Sequence, residues 1–387
     1  MTRLSVLILL SAVTFARADE PKLPVAQPVG RLELVATFDG PMPTGVTVSR
    51  SGRIFVNFPR WGDKVDFTVA ELKDGKAVAY PDAAINRPDK NRPGETLISV
   101  QSVVVDPDDR LWIVDTGSIE FGPALPGGPK LVGVDLKTGH VFKTISFPED
   151  VALRTSYVND VRFDLRRGTA GVAYLTDSSK DGPNGLIVVD LANGRSRRRL
   201  HDHPSTKADK NFLPLVEGRP LVNRPPGGKP TPMSFGSDGI AISQDGNHLI
   251  YCPLSSRRLY RVATDVLLNA DATDAEVANA VESLGTRPFA SDGLESDDQG
   301  RLYLTNYEDN AVMRRGPDGG YETLVYDGRA LWPDTLSLAA DGHLYFTANQ
   351  LHRQKRFQEG KDLRQTPYSL FRIKVDGGPV TLRRDGP

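Results

Sequence analysis

An internal repeat is the feature of this 387-residue sequence that most constrains its fold. One template recurs six times: a polar residue beside a small one, a short alternating strand, a tight turn and a second apolar strand. The first copy begins at Thr44 and turns at Ser51-Gly52, and the sixth begins at Asp334 and turns at Asp341-Gly342. Alternation followed by such a turn predicts a β-hairpin, because the turn needs residues that tolerate positive φ.

The spacing of the copies predicts one ring of blades. The copies begin at positions 44, 101, 159, 238, 292 and 334, so successive starts lie 57, 58, 79, 54 and 42 residues apart. These are suitable lengths for a four-stranded blade with its loops, whereas a two-layer sandwich would not repeat one hairpin in this way. We therefore predict an all-β fold, a single six-bladed β-propeller over residues 31–380. Residues 31–36 are expected to close the ring against the last blade near residues 369–375.

The first eighteen residues predict export. Residues 1–18 combine an early arginine, the apolar run Leu4–Leu10 and the small residues around Ala16-Arg17-Ala18. This is the pattern of a signal peptide cleaved near Ala18, and the apolar run is too short to span a bilayer. We expect a secreted or periplasmic protein without membrane insertion, in which residues 19–30 are an N-terminal extension. A buried N-terminal helix is the alternative.

Charge and cysteine content exclude several classes of protein. The formal net charge is -1 at pH 7 and no block of lysine and arginine stands out, so no nucleic-acid partner is expected. Cys252 is the only cysteine, which excludes an intramolecular disulfide. It follows the apolar run Leu249–Tyr251, which favours a buried thiol over a nucleophile. Arg197–Arg199 is interpreted as a solvated charge run.

Three segments interrupt the repeat. Asp82–Glu95 is rich in proline, asparagine and charged residues, and is predicted to be a loop between the first two blades. His201–Phe235 contains seven prolines and is predicted to be a long irregular insertion, of the kind that is usually functional or mobile in a compact domain. Thr264–Leu284 is predicted to be helical, with Val266, Leu267, Val277, Val281 and Leu284 as its apolar side.

Aligning the six copies places one polar residue of each blade in a single column. The column consists of Thr44, Gln101, Asn159, Asp238, Asp292 and Asp334. Because the innermost strand of every blade lines the central axis, these side chains are expected to converge on the mouth of the channel and to bind a ligand there. Crowded carboxylates raise one another's pKa values or recruit a cation, and oxygen ligands suit Ca²⁺ or another hard divalent ion. Asn159, Asp238 and Asp292 are the candidate metal ligands. The alternative is structural, since an Asp before Gly often binds turn amides and polar residues commonly fill a wet channel.

Further motifs occur in a fixed order along the chain. They are Arg110–Gly117, Pro129–Leu136, Asn159-Asp160, Ala173–Ser178, His203-Pro204-Ser205, Pro253–Ser256, Trp332-Pro333-Asp334 and Asn349–Arg353. The ordered set resembles the yellow/major royal jelly protein family over nearly the whole sequence after residue 18. The single cysteine and the absence of an Asn-X-Ser/Thr sequon suggest a bacterial type of member.

That resemblance implies a secreted six-bladed propeller whose members include proteins that bind small aromatic amines at the channel mouth. By the same likeness, Thr347 and Asn349 are candidate ligand contacts, although Asn349 could instead cap a turn. The hypothesis that follows is an exported propeller with a small-molecule ligand, which leaves open whether the protein is an enzyme.

A more distant likeness connects the chain to the SMP-30/gluconolactonase propellers. Asn159-Asp160, Ser237-Asp238-Gly239 and Ser291-Asp292-Gly293 resemble three of that group's metal-ligand positions, whereas Thr44 stands where the group has a glutamate. This likeness implies the alternative function, a metal-dependent lactonase, other hydrolase or isomerase. The sequence contains no Gly-X-Ser-X-Gly elbow, phosphate loop or dinucleotide fingerprint.

Overall fold

Six four-stranded antiparallel sheets account for the fold. The computed structural model describes residues 28–384, so the predicted signal peptide at 1–18 and most of the extension at 19–30 lie outside the described residues. Five of the sheets consist of four strands in chain order, from the channel outward. The sixth takes its outermost strand from the beginning of the described chain. The predicted all-β, six-bladed propeller is confirmed.

The first three blades follow the predicted copies one, two and three. Their strands, from inner to outer, are Val46–Val48, Ile54–Asn57, Val69–Lys73 and Lys76–Ala79; Val100–Val105, Arg110–Asp115, Lys130–Asp135 and Val141–Ser146; and Val158–Asp164, Val172–Asp177, Gly185–Asp190 and Ser196–Arg199. Asp82–Glu95 contains no strand and connects the first two blades, as predicted.

The last three blades complete the ring. Their strands are Ser237–Ile242, His248–Pro253, Arg258–Ala263 and Val281–Thr286; Leu294–Ser296, Leu302–Asn306, Ala311–Arg315 and Tyr321–Tyr326; and Pro333–Leu338, His343–Ala348, Tyr368–Lys374 and Leu32–Phe38. The closing strand pairs antiparallel with its neighbour, from Leu32 opposite Ile373 to Phe38 opposite Tyr368. Ring closure by the N-terminal strand is therefore confirmed.

The sequence pattern explains this arrangement strand by strand. Gly52 and Gly342 occupy the inner hairpin turns with φ of 82° and 73°, a backbone region that strongly favours glycine. All seven residues of Val158–Asp164 are buried, because an inner strand lies between two neighbouring blades. The core is accordingly built between blades, as where Trp112 of the second blade stacks on Phe163 of the third at 5.5 Å.

Buried carboxylates fix where two inner strands begin. Asp115, at the end of its strand, accepts hydrogen bonds from the amides of Ile98 (2.7 Å) and Ser99 (2.9 Å) and pairs with the Lys130 ammonium at 2.6 Å. In the next blade Asp177 pairs with Arg198 at 2.8 Å. The side chains of Arg198 and Arg199 are buried, so the prediction that residues 197–199 form a solvated run is wrong at these two positions. The sequence pattern does not reveal this ion pair, because Asp177 lies 21 residues before Arg198.

The segment predicted to be helical proves to be mixed. It forms two short helices, Thr264–Leu268 and Asp274–Asn279, and then the outer strand Val281–Thr286. The prediction of a helix through Leu284 is wrong because this last part is needed as the fourth strand of its blade, where it pairs with Arg258–Ala263. Among residues 28–384, no helix has both the length and the apolar character that crossing a membrane would require.

The proline-rich insertion carries only small elements. His201–Phe235 contains the 3₁₀ helix Pro204–Thr206 and two hairpins of two-residue strands, Leu215–Val216 with Arg219–Pro220 and Val222–Asn223 with Thr231–Pro232. Its last residues, Met233 and Phe235, are buried in the hydrophobic cluster that also contains Phe357. Two further 3₁₀ helices, Leu351–Arg353 and Lys355–Phe357, follow the second strand of the last blade. The end of the insertion therefore packs against the propeller.

We predict that Asp115→Ala lowers the free energy of unfolding by about 3–5 kcal/mol, because it leaves a buried ammonium without its anion. Lys130→Met should cost less, since the carboxylate keeps its backbone donors at Ile98 and Ser99. Chemical denaturation of both variants measures the difference. A loss for Asp115→Ala no larger than that for Lys130→Met would contradict this account.

Candidate functional site

The topology brings two sets of residues to one mouth of the channel. Every inner strand begins at this mouth, and because each blade is a series of antiparallel hairpins, every loop between second and third strands returns to it. The connection from the outer strand of one blade to the next inner strand lies at the same end. The polar column and the proline-rich insertion therefore meet here.

The predicted column is buried at this mouth, and five of its six members line one pocket. Those five are Gln101, Asn159, Asp238, Asp292 and Asp334. Thr44 is also buried but does not line the pocket. Its hydroxyl donates to the carbonyl of Gln101 at 3.1 Å and accepts from Asn57 at 2.8 Å, so its hydrogen bonds are made within the protein.

Three carboxyl groups form the floor of this pocket, and none of them has an ion-pair partner among the described residues. Burial raises the pKa of Asp238 well above its ordinary value, and the neighbouring carboxylates of Asp292 and Asp334 raise it further. Burial likewise raises the pKa of Asp334, with a smaller contribution from Asp292. Burial raises the pKa of Asp292 to about 6. Hydrogen bonds from Trp332 and Asp238 lower this pKa and so limit the rise. We refer to Asp238, Asp292 and Asp334 as the acidic floor.

A second layer of charge below the floor is neutralised. Asp160 lies next to a column residue, and its carboxylate pairs with Arg162 at 3.0 Å and accepts from the Ser102 hydroxyl at 2.6 Å. Arg162 also lies 3.7 Å from Glu295. The lower layer therefore has its own cation, in contrast to the acidic floor.

Three side chains donate hydrogen bonds to the acidic floor, the longest from the Thr335 hydroxyl to Asp334 at 3.2 Å. Trp332, which is fully buried, donates its indole N–H to Asp292 at 2.8 Å. Asn349 donates its amide to Asp334 at 2.6 Å while its carbonyl oxygen accepts from the Leu351 amide at 3.0 Å. Asn349 thus caps a turn and positions a floor residue at once.

Thr347 and Asn349 are both fully buried and stand outside the lining of the pocket. Thr347 donates its hydroxyl to the carbonyl of Thr44 at 2.5 Å. Direct contact of these two residues with a ligand stays a prediction.

Aromatic side chains close the pocket above the floor. Phe121 stacks on Trp61 and on Tyr157, with ring centroids 4.8 Å apart in both pairs, and meets the edge of Phe235 at 5.5 Å. The Trp61 indole donates to the Tyr157 hydroxyl at 2.8 Å, which in turn donates to the side-chain oxygen of Gln101 at 3.0 Å. This hydrogen-bond chain connects the aromatic roof to the polar column.

The pocket is too small for a ligand in the present arrangement of its lining side chains. The pocket between roof and floor has a volume of about 20 Å³, roughly that of one water molecule. Glu120 and Phe121 are consecutive non-glycine residues with φ of 52° and 58°, a conformation that costs about 1–3 kcal/mol for each residue. The loop therefore stores strain where it places the Phe121 ring, and a ligand larger than water requires that ring to move.

The residues proposed for a metal have suitable donor atoms but not a suitable arrangement. Asn159, Asp238 and Asp292 all line the pocket, and their oxygens belong to the class that Ca²⁺ prefers. In the described part of the chain, however, no group of three or more His, Cys, Asp or Glu side chains is arranged to hold a metal ion. Asn159 also directs its amide N–H to Ser178 at 2.9 Å, and Asp292 is occupied by Trp332. As they stand, these residues do not form a cation cage.

The roof was not found from the sequence. Trp61 and Phe121 lie in loops after second strands, where the hairpin repeat has ended, and Tyr157 lies immediately before an inner strand. One usable signal existed, since any loop after a second strand must return to the mouth where the column begins. Aromatic residues in those loops were therefore candidates for the roof.

Comparison with known proteins gives one family and one fold. The family model described as "Major royal jelly protein" matches residues 98–376 of this chain. L-dopachrome tautomerase yellow-f of Drosophila melanogaster is 29% identical over 347 residues, which cover 80% of this chain and 74% of that protein. Major royal jelly protein 5 of Apis mellifera is 27% identical over 179 residues, or 45% of this chain. That alignment spans only 27% of the royal jelly protein's own length.

Solved propellers share the architecture at low sequence identity. A gluconolactonase from Xanthomonas campestris superposes with a TM-score of 0.53 and 14% identity, covering 90% of this chain and 91% of that one. A calcium-binding protein, regucalcin, from Agrobacterium tumefaciens gives a TM-score of 0.53 and 14% identity, covering 90% and 97%. At this identity the likeness concerns the fold alone.

The raised pKa of Asp292 makes stability depend on pH. The folded protein holds this proton up to about pH 6, whereas the unfolded chain loses it near pH 4. The folded state therefore binds more protons in this range, and its stability falls as the pH rises from about 4 through about 6.

We predict that Asp292→Asn raises the free energy of unfolding at pH 7.5 by about 2–3 kcal/mol and gives no gain at pH 4, because the amide cannot ionise. Thermal or chemical denaturation across this pH range measures the effect. Asp150→Asn, at an exposed position, is the matched control and should leave the pH profile unchanged. Parallel profiles for wild type and Asp292→Asn would refute the assignment.

Proposed function

We propose that this chain, which belongs to the major royal jelly protein family, binds a small aromatic molecule that carries an ammonium group. The site is the pocket between the acidic floor and the roof formed by Trp61, Phe121, Tyr157 and Phe235. The observation that carries the proposal is that three buried carboxyl groups share this pocket and that none of them forms an ion pair with a residue of the described chain.

The two halves of the pocket suit the two halves of such a ligand. Ionised carboxylates on the floor attract an ammonium group, and the attraction is strong because the surroundings exclude water. Aromatic faces above the floor stack on an aromatic ring and also favour a cation at close range. Binding requires the Phe121 ring to leave the space between roof and floor, and release of the strain at Glu120 and Phe121 favours that movement.

The proposal predicts charge-dependent binding of tryptamine, measured by isothermal titration calorimetry or by quenching of tryptophan fluorescence. The neutral analogue 3-ethylindole should bind at least about tenfold more weakly, since it lacks the group that pairs with the floor. Affinity for tryptamine should rise between pH 5 and pH 8 as the floor ionises, because the pKa values of these carboxyls are raised.

Variants of the floor complete this test. Asp334→Asn should weaken tryptamine binding by about tenfold or more and leave 3-ethylindole unaffected, while Asp150→Asn serves as the exposed control. Equal affinities for the charged and neutral ligands, or an unchanged affinity in Asp334→Asn, would overturn the proposal.

The alternative is a metal-dependent lactonase, other hydrolase or isomerase. The same three crowded carboxyls support it, since a divalent cation would relieve their repulsion. Hydrolysis of a lactone that requires Ca²⁺ and stops on chelation would favour this function over amine binding. Tryptamine binding that is indifferent to chelator would favour the first proposal.

We also propose that the protein is exported, because residues 1–18 have the pattern of a signal peptide. If the full-length chain is expressed in a bacterium, the protein should be recovered outside the cytoplasm with Asp19 as its first residue. N-terminal sequencing measures this, and replacement of Leu7 and Leu9 by Asp should keep the chain inside with its leader uncleaved. Recovery of uncleaved wild-type protein in the cytoplasm would contradict it.

A further inference from the structure

Arg356 brings a cation to the pocket above the acidic floor. It belongs to the short 3₁₀ helix Lys355–Phe357 and lines the same pocket as the acidic floor. Its guanidinium carbon lies 4.7 Å from the ring centroid of Phe121, 5.3 Å from that of Phe235 and 4.7 Å from that of Phe357. Three aromatic faces therefore hold this guanidinium at the roof.

Within residues 28–384, no anion neutralises Arg356. Its side chain forms no ion pair and no hydrogen bond there, and its Nε is buried without a partner. Burial lowers the pKa of Arg356 to about 10, and among the groups that oppose this shift only the Tyr157 phenol contributes. The group stays charged at neutral pH, so a partly buried cation keeps hydrogen-bond donors that the described protein does not use.

Arg364, which lies near Arg356, is paired with a carboxylate of the protein. Arg356 also borders an outer cavity of about 210 Å³, where Arg364 pairs with both oxygens of Asp63 at 2.7 and 2.9 Å. Glu120 and Lys355 line that cavity too, and Glu120 makes no ion pair with Arg356. Of the two arginines, only Arg364 has its donors taken by the protein.

Unpaired charges of both signs therefore line one pocket. Burial raises the pKa of Tyr157 well above its ordinary value, against the hydrogen bond from Trp61. The charges of Asp238, Arg356 and Asp334 act on this phenol as well, so groups of both signs lie near it. No floor carboxylate lies within the 4 Å of Arg356 that an ion pair needs, although all of them line the same small space. A ligand that carries an anion and a cation a few atoms apart could satisfy both sides at once.

We propose that Arg356 is a carboxylate-binding subsite, and that the pocket takes a zwitterionic aromatic α-amino acid in preference to the corresponding amine. This inference rests on the proposed function, to which it adds a second recognition element. The guanidinium presents paired N–H donors to the ligand carboxylate, a geometry that carboxylates match with two parallel hydrogen bonds. The ammonium on the adjacent carbon then meets the acidic floor, and the aromatic ring replaces Phe121 in the stack.

The test compares each amino acid with its own decarboxylated amine. Tryptophan and tryptamine form one pair, and tyrosine and tyramine the other, with indole-3-propionate as a ligand that has the carboxylate alone. Calorimetric titration of the wild-type protein should show the amino acid binding at least about tenfold more tightly than the amine. Indole-3-propionate should bind more weakly than tryptophan, because it leaves the floor without a cation.

Arg356→Gln should remove the preference. Its affinity for tryptophan should fall by about tenfold or more, and its affinity for tryptamine should change by less than about threefold. Lys355→Gln is the matched control, because it removes the exposed charge next in the chain and should preserve the wild-type ratio. Melting temperatures of both variants establish that they are folded.

Each outcome is decisive. If wild-type protein binds tryptamine as tightly as tryptophan, the inference about Arg356 fails while the proposed amine site stands. If Arg356→Gln keeps the preference for tryptophan, the carboxylate is recognised elsewhere and the inference fails again. If no member of either pair binds, the proposed function itself fails. The wild-type comparison does not depend on any variant being folded.

Discussion

The repulsion among three carboxyl groups at the channel mouth is the constraint on which the arrangement of the site depends. Six inner strands begin at one end of the ring, so residues from distant parts of the chain are forced together there. Asp238, Asp292 and Asp334 come from the fourth, fifth and sixth blades, and all three are buried. Charged carboxylates cannot share such a volume freely, so they retain protons, accept hydrogen bonds or attract a cation.

The protein uses only the first two of these means for the floor. Trp332 and Asn349 each donate one hydrogen bond, and the remaining cost appears as raised pKa values. One layer below, the same problem is solved differently, because Arg162 neutralises Asp160 directly. A site with a purely structural role could have neutralised the acidic floor with an arginine in the same way. An arginine is present at the mouth as well, but Arg356 is held on aromatic rings, away from ion-pair distance of the floor.

The fold could be predicted almost completely from the sequence, and the floor of the site with it. Repetition is the reason: a hairpin that recurs at blade spacing fixes the ring, and the ring fixes where equivalent residues meet. The repeat alone predicts that Asp238, Asp292 and Asp334 meet at the channel mouth. The method failed where the repeat was interrupted. Val281–Thr286 was taken for a helix because Val281 and Leu284 also fit a helical period, and only the need for a fourth strand in that blade decides otherwise.

The roof lay outside the reach of the same reasoning for a physical reason. Trp61, Phe121 and Arg356 come from loops of different length, so no alignment of copies places them in a column. Phe121 depends on an unfavourable backbone conformation that no propensity would predict. Yet these irregular loops decide which molecule can enter, because the floor is built from residues that the fold places there in any case. A regular ring supplies the crowded carboxylates, and the loops above it supply both the aromatic surfaces and the Arg356 guanidinium. If selectivity has been tuned in this scaffold, the loops are where it could change without disturbing the blades.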